Sequence, residues 1–239
     1  MLRFVRIIFI FVMIASIVLI NPAYAQDERK IVYGEPVTAF FEKADQHFYV
    51  FEGKEKDLIY ILPVRTETFS TMSFEIDLRN SRGRSVGTLY DEVFYKFIVA
   101  ELPADDVYTI SLKSDEAGRY ALILNQTVDL LPGVSAKGQI TPDTFAFFRV
   151  LSPQTVDIRL EYVRTRGNFG PHVRVRDFGG FLNSDIAGLF GSNLDSGTIE
   201  FTAEANRTYI VIVGKDILDF SQSLARGSVQ FEITSSKAN

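Results

Sequence analysis

Short runs of β-branched and aromatic residues, separated by turn residues, fill the chain after Gln26. Phe74, Ile76 and Leu78 alternate with Glu75 and Asp77, the period of a strand buried on one face. Residues 47–51, 57–62, 107–112 and 120–124 have the same strand-like composition. Asn80-Ser81-Arg82-Gly83 supplies the turn chemistry that closes the 74–78 run. No stretch after residue 25 carries a sustained helical stripe with caps. The pattern predicts an all-β protein.

The second half repeats the order of the first. Ile76-Asp77-Leu78-Arg79-Asn80 with Gly83 matches Val173-Arg174-Val175-Arg176-Asp177 with Gly180. Val107-Tyr108-Thr109-Ile110 matches Thr208-Tyr209-Ile210-Val211, and Gly118-Arg119-Tyr120-Ala121-Leu122 matches Gly227-Ser228-Val229-Gln230-Phe231. The spacing between partners grows along the chain, as loop insertions in a duplicated domain would produce. Leu131-Pro132-Gly133 punctuates the boundary, which gives domains at residues 26–130 and 131–239. Duplication predicts that Tyr108 and Tyr209 occupy equivalent places near the start of a late strand, with both rings buried.

Residues 1–25 have the layout of a secretory signal peptide. Arg3 and Arg6 form a positive start, Ile7 to Ile20 is apolar, and Ala23-Tyr24-Ala25 offers small residues for cleavage. Retention as an anchor is the competing reading, although the apolar run is short of the roughly 20 residues of a bilayer span. Export predicts a periplasmic or secreted protein that is off the membrane after cleavage. The 239 residues contain no cysteine, which excludes a lipid anchor on cysteine, disulfides, thiolate metal sites and thiol catalysis. Burial alone must then hold the fold. Beyond residue 25 there are 23 basic and 30 acidic side chains, and the acidity lies in the first half, which has a net charge of −7. That balance argues against a nucleic-acid partner.

One ordered set of motifs recurs in both halves. The first half has Gly34-Glu35-Pro36-Val37, Asp45, Tyr49-Val50-Phe51, Asn80 to Gly83, Asp105 to Ile110 and Gly118 to Leu122. The second has Gly138-Gln139-Ile140, Asp143, Phe148-Arg149-Val150, Asp177 to Gly180, Asn206 to Val211 and Gly227 to Phe231. With these motifs the chain resembles the bacterial pre-peptidase C-terminal domain family. The resemblance implies two jelly-roll-like β-sandwiches of about eight strands each. It also implies a non-catalytic accessory module of secreted bacterial proteins, some relatives of which bind collagen or carbohydrate. Calcium, which some relatives bind near their N-terminus, would fall at Asp27 and Glu28 here.

Familiar chemistry is sparse. His47 and His172 are not at matched positions, and each is expected to be an exposed or edge histidine. Asp91-Glu92 and Asp105-Asp106 are adjacent pairs whose side chains leave a strand on opposite faces, so neither pair alone forms a glycosidase couple. No alternating acidic calcium loop is present, and no cofactor is expected. The least ordinary segment is Phe178 to Gly191, apolar and glycine-rich. A projecting loop there would place Phe178, Phe181, Leu189 and Phe190 at a partner contact, with Arg174 and Arg176 at its rim. Burial of those side chains in the sandwich is the competing outcome.

These features predict a non-enzymatic, exported tandem β-sandwich that binds an extracytoplasmic protein or polysaccharide. Two alternatives stand beside it. One is an inhibitor of a hydrolase such as a lysozyme or protease, steered by the acidic first half. The other is an enzyme with an unrecognised carboxylate site.

Overall fold

A computed structural model describes residues 28–66, 72–91, 96–178, 185–189, 194–215 and 227–238. The expected signal peptide lies outside the described residues. Among the described residues every regular element is a strand, and no helix is long and apolar enough to cross a membrane.

The first half forms β1 (Glu28–Lys30), β2 (Val37–Phe41), β3 (Asp45–Gly53), β4 (Leu58–Arg65), β5 (Glu75–Arg79), β6 (Thr88–Asp91), β7 (Lys96–Glu101), β8 (Asp106–Ser114) and β9 (Gly118–Gln126). The second forms β10 (Val128–Asp129), β11 (Ser135–Ile140), β12 (Phe145–Leu151), β13 (Val156–Arg166), β14 (Pro171–Asp177), β15 (Asp185–Leu189), β16 (Ser196–Ala203), β17 (Thr208–Lys215) and β18 (Val229–Lys237). The chain leaves the first set of sheets at Gln126 and enters the second at Val128.

Four sheets result. The first sandwich pairs a sheet of order β1-β3-β8-β5 with one of order β2-β9-β4-β7-β6. The second pairs β10-β12-β17-β14-β15 with β11-β18-β13-β16. Adding nine to each label of the first converts β1-β3-β8-β5 into β10-β12-β17-β14, and β2-β9-β4-β7 into β11-β18-β13-β16. Even the short first strand runs parallel to its neighbour in both copies. The matched sequence blocks fall on β5 and β14, β8 and β17, and β9 and β18. Each copy therefore has nine strands among the described residues, one more than the resemblance implies.

Tyr108 and Tyr209 keep equivalent places: Tyr108 pairs with Phe51 on β3, and Tyr209 with Val150 on β12. Both rings are buried. One opening motif shifts. The turn glycine equivalent to Gly34 is Gly133, since each precedes its edge strand at positive φ and donates its N–H to the last strand of its copy. Gly138 instead lies inside β11 opposite Phe231, whose ring would meet a Cβ placed there.

The copies differ in one strand. In the first, β6 joins β7; in the second, its counterpart β15 joins β14 in the other sheet. Both additions widen the sheets that face each other. Leu58, Tyr60, Leu62 and Val64 of β4 with Phe97 and Val99 of β7 pack against Phe145, Phe147, Ile210 and Ile212 of β12 and β17. Tyr60 stacks on Phe147 with centroids 4.3 Å apart, and Phe97 meets the same ring edge-on at 5.2 Å. Each sandwich has its own core, and this third cluster joins them. The result is a stack of four sheets.

The outermost sheets obey simple alternation. On β8 the buried Tyr108, Ile110 and Leu112 alternate with Thr109, Ser111 and Lys113, and on β13 Ile158, Leu160 and Tyr162 alternate with Arg159 and Glu161. Strands covered on both faces lose alternation and become continuously apolar, as Leu58 to Leu62 and Tyr209 to Val213 show.

Candidate functional site

Among the described residues, the side chains expected at a partner contact do not form one open surface. Arg174 and Arg176 do leave β14 on the face opposite Val173 and Val175, but the first sandwich covers that face. Arg176 is only 6% exposed. Its Nε donates to Asp185 Oδ1 at 2.7 Å, and its guanidinium carbon lies 5.4 Å from the centre of the Tyr90 ring of β6. It is thus a seam residue, held by an ion pair and a cation–π contact. Arg174 is half-buried. Phe178 is half-buried against the cluster between the sandwiches, and Leu189 against the core of its own sandwich. Phe181 and Phe190 lie outside the described residues.

The acidic pair Asp105-Asp106 ties loops together. Asp105 Oδ1 accepts the Glu55 N–H at 2.8 Å, while Asp106 Oδ2 accepts the Ser81 hydroxyl at 2.9 Å. That hydroxyl holds the Asp106 carboxyl below the usual carboxylate range. Glu92 and Asp27 lie outside the described residues, as does the side chain of Asp91. Among the described residues no group of three or more His, Asp or Glu is placed to hold a metal ion.

Neither histidine is exposed, and the edge half of the expectation is what remains: among the described residues each has a paired strand on one side only. His172 is buried on β14, 9% exposed. His47 belongs to a polar chain inside the first sandwich, a feature no local motif announces. Its Nε2 lies 3.0 Å from Asp45 Oδ2, its Nδ1 lies 2.5 Å from the Tyr120 hydroxyl, and that hydroxyl lies 2.5 Å from the Tyr49 hydroxyl. Phe41 stacks on both the His47 and the Tyr120 ring at 4.5 Å. Burial lowers the His47 pKa below its ordinary value, and the charge of Arg29 adds to this against the opposing pull of Asp45. Burial likewise drives the Tyr120 hydroxyl well above the ordinary tyrosine range. A neutral His47 fixes the proton order: Nε2–H faces Asp45, Nδ1 accepts from Tyr120, and Tyr120 accepts from Tyr49.

By strand register the second copy has Thr144, Ala146, Phe148 and Phe231 at the places of Asp45, His47, Tyr49 and Tyr120. The fold does not need these polar groups. The depressed His47 pKa has a definite consequence for stability. The unfolded chain takes up a proton near pH 6.5 that the folded chain resists until lower pH, so stability falls as pH drops from about 6.5 toward the folded value. Thermal melts of wild type and His47→Gln across pH 5–8 check this: the variant loses that part of the decline. An unchanged pH profile in the variant would contradict it.

The outer face of the β2–β9 edge carries an open cleft. The second sandwich covers β4, β7 and β6 but stops short of β2. The cleft beside β2 has a volume of about 300 Å³ and is lined by Thr38, Ala39, Phe40, Thr66, Arg119 and Tyr120, all of the first sandwich. Phe40 is 50% exposed there, whereas its neighbour Phe41 is fully buried. The dipeptide carried that signal: consecutive residues of a strand face opposite ways, so a core-facing Phe41 sends Phe40 outward. An aromatic ring beside a guanidinium and threonine hydroxyls offers stacking, donors and acceptors in a space sized for one sugar ring or one side chain.

No protein-family model and no curated protein matches the chain. Among solved structures it is similar to the N-terminal CBM22-1–CBM22-2 tandem domain of Xyn10C from Paenibacillus barcinonensis. Identity is 10%, coverage is 79% of this chain and 82% of that one, and the TM-score is 0.23.

Proposed function

We propose that the protein is an exported, non-catalytic tandem β-sandwich that binds a protein or polysaccharide outside the cytoplasm, in the periplasm or beyond. The half-exposed Phe40 in the cleft beside Arg119, Thr38 and Thr66 carries this reading. An aromatic ring on a rigid strand contributes contact area with little side-chain ordering cost, and the polar groups around it select orientation. The signal-peptide layout and the resemblance to the pre-peptidase C-terminal family support the extracytoplasmic setting. On this reading the second sandwich braces the first and leaves its β2–β9 margin open.

Affinity electrophoresis and biolayer interferometry against cell-wall and extracellular polysaccharides and matrix proteins test it. A ligand should be found whose affinity falls about 3–10-fold in Phe40→Ala, the range for loss of one aromatic contact. Turnover of peptide, ester or glycoside substrates by chelator-treated protein would contradict the non-catalytic assignment. Binding untouched by Phe40→Ala would contradict the site.

A further inference from the structure

We infer that β2 is a self-recognition edge, through which two copies of this chain join their five-stranded sheets into one. This goes beyond the ligand-binding reading and stands without it. β2 borders its sheet, pairing with β9 on one side and with no strand on the other among the described residues. The direction of its backbone groups follows from two bonds on β9. Arg119 C=O accepts the Thr66 N–H at the end of β4, so odd-numbered β9 residues turn toward β4. Leu124 C=O accepts the Gly34 N–H, so even-numbered ones turn toward β2. Val37, Ala39 and Phe41, opposite Leu122, Tyr120 and Gly118, therefore spend their backbone groups on β9. Thr38 and Phe40 aim theirs at the open edge.

Other outer strands carry charge that discourages pairing: β1 has Glu28, Arg29 and Lys30, β5 has Glu75, Asp77 and Arg79, and β11 has Lys137. Val37-Thr38-Ala39-Phe40-Phe41 has none. The strand is also complementary to itself. An antiparallel dyad through Ala39 sets Thr38 against Phe40 of the second copy twice, each pair exchanging two N–H···O bonds. Those pairs bring an aromatic beside a β-branched side chain on the outer face. Beyond the strand ends, the same dyad turns the loop that carries Lys43 toward the loop that carries Glu35 of the second copy. Both are exposed and have no ion-pair partner among the described residues. A register shifted either way loses this charge match.

An edge of this length makes a small interface, so the dimer is weak, with Kd roughly between micromolar and millimolar. Sedimentation equilibrium of the full mature chain up to about 1 mM should show a monomer–dimer equilibrium. Amide exchange at Thr38 and Phe40 should slow as concentration rises. Phe40→Lys should abolish association, and Lys43→Glu should weaken it at least about 5-fold. Adding Glu35→Lys to Lys43→Glu should restore it, which a merely misfolded variant could not do. A chain that stays monomeric at 1 mM overturns the inference. So does a dimer indifferent to these changes, or a monomer that takes up an added uncharged peptide strand at β2 instead.

Discussion

Replacing Phe147 by Asp should pull the two sandwiches apart. The ring sits between Tyr60 and Phe97 of the first sandwich and is almost fully buried. Its removal forfeits about 2–3 kcal/mol of apolar burial, and an unpaired carboxylate at that place adds several more. Together these amount to a penalty on the order of 5 kcal/mol. The cluster it belongs to is distinct from the cores of either sandwich, so separation relieves the buried charge while leaving both cores packed. Small-angle scattering should show a larger radius of gyration, with the far-ultraviolet β signal retained. Phe147→Leu, which keeps the site apolar, should remain compact. A compact Phe147→Asp protein of unchanged stability would contradict the packing.

Tyr108→Ala and Tyr209→Ala should each cost about 3–5 kcal/mol, the range for truncating a buried aromatic ring. The two are the same structural part in two copies. Tyr108 packs against Phe51 and donates its hydroxyl to Ala104 C=O at 2.8 Å, tying the strand to the turn before it. Tyr209 packs against Phe201, and its hydroxyl accepts the Glu204 N–H at 2.9 Å from the equivalent turn. The Phe variants lose only the hydroxyl bond and should cost about 1 kcal/mol. Denaturant unfolding of the full chain measures all four. A loss below 1 kcal/mol for either Ala variant would contradict burial of that ring.

The sequence made the strands and the duplication legible, because alternation and turn residues are local and the two copies share them. Buried Ile76 and Leu78 on β5, with Val173 and Val175 on β14, follow directly from the period of two. What escaped was long-range. The unbroken apolar runs at Leu58 to Leu62, Phe97 to Ala100 and Tyr209 to Val213 state that both faces are covered, but not what covers them. Arg176 shows the consequence. Its direction away from its own core was readable, yet its burial depended on Tyr90 from the other sandwich. The His47 chain was invisible for a related reason: Asp45, Tyr49 and Tyr120 come from two strands far apart in sequence, and no spacing rule brings them together. Phe40 is different, since the Phe40-Phe41 pair in a strand already requires one ring to face outward.

The central claim is that two copies of one sandwich are locked face to face into a single body. The absence of native cysteine permits a direct test with two introduced ones. Val107 on β8 and Thr198 on β16 are exposed strand positions in the two outermost sheets. Those sheets are separated by three sheet-to-sheet spacings, about 30 Å plus any lateral offset. Spin labels at Val107→Cys and Thr198→Cys, read by double electron–electron resonance, should give one narrow distance distribution, and Phe147→Asp should broaden it. A broad or multi-peaked distribution in the otherwise unaltered chain would show two independently tumbling sandwiches and contradict the account.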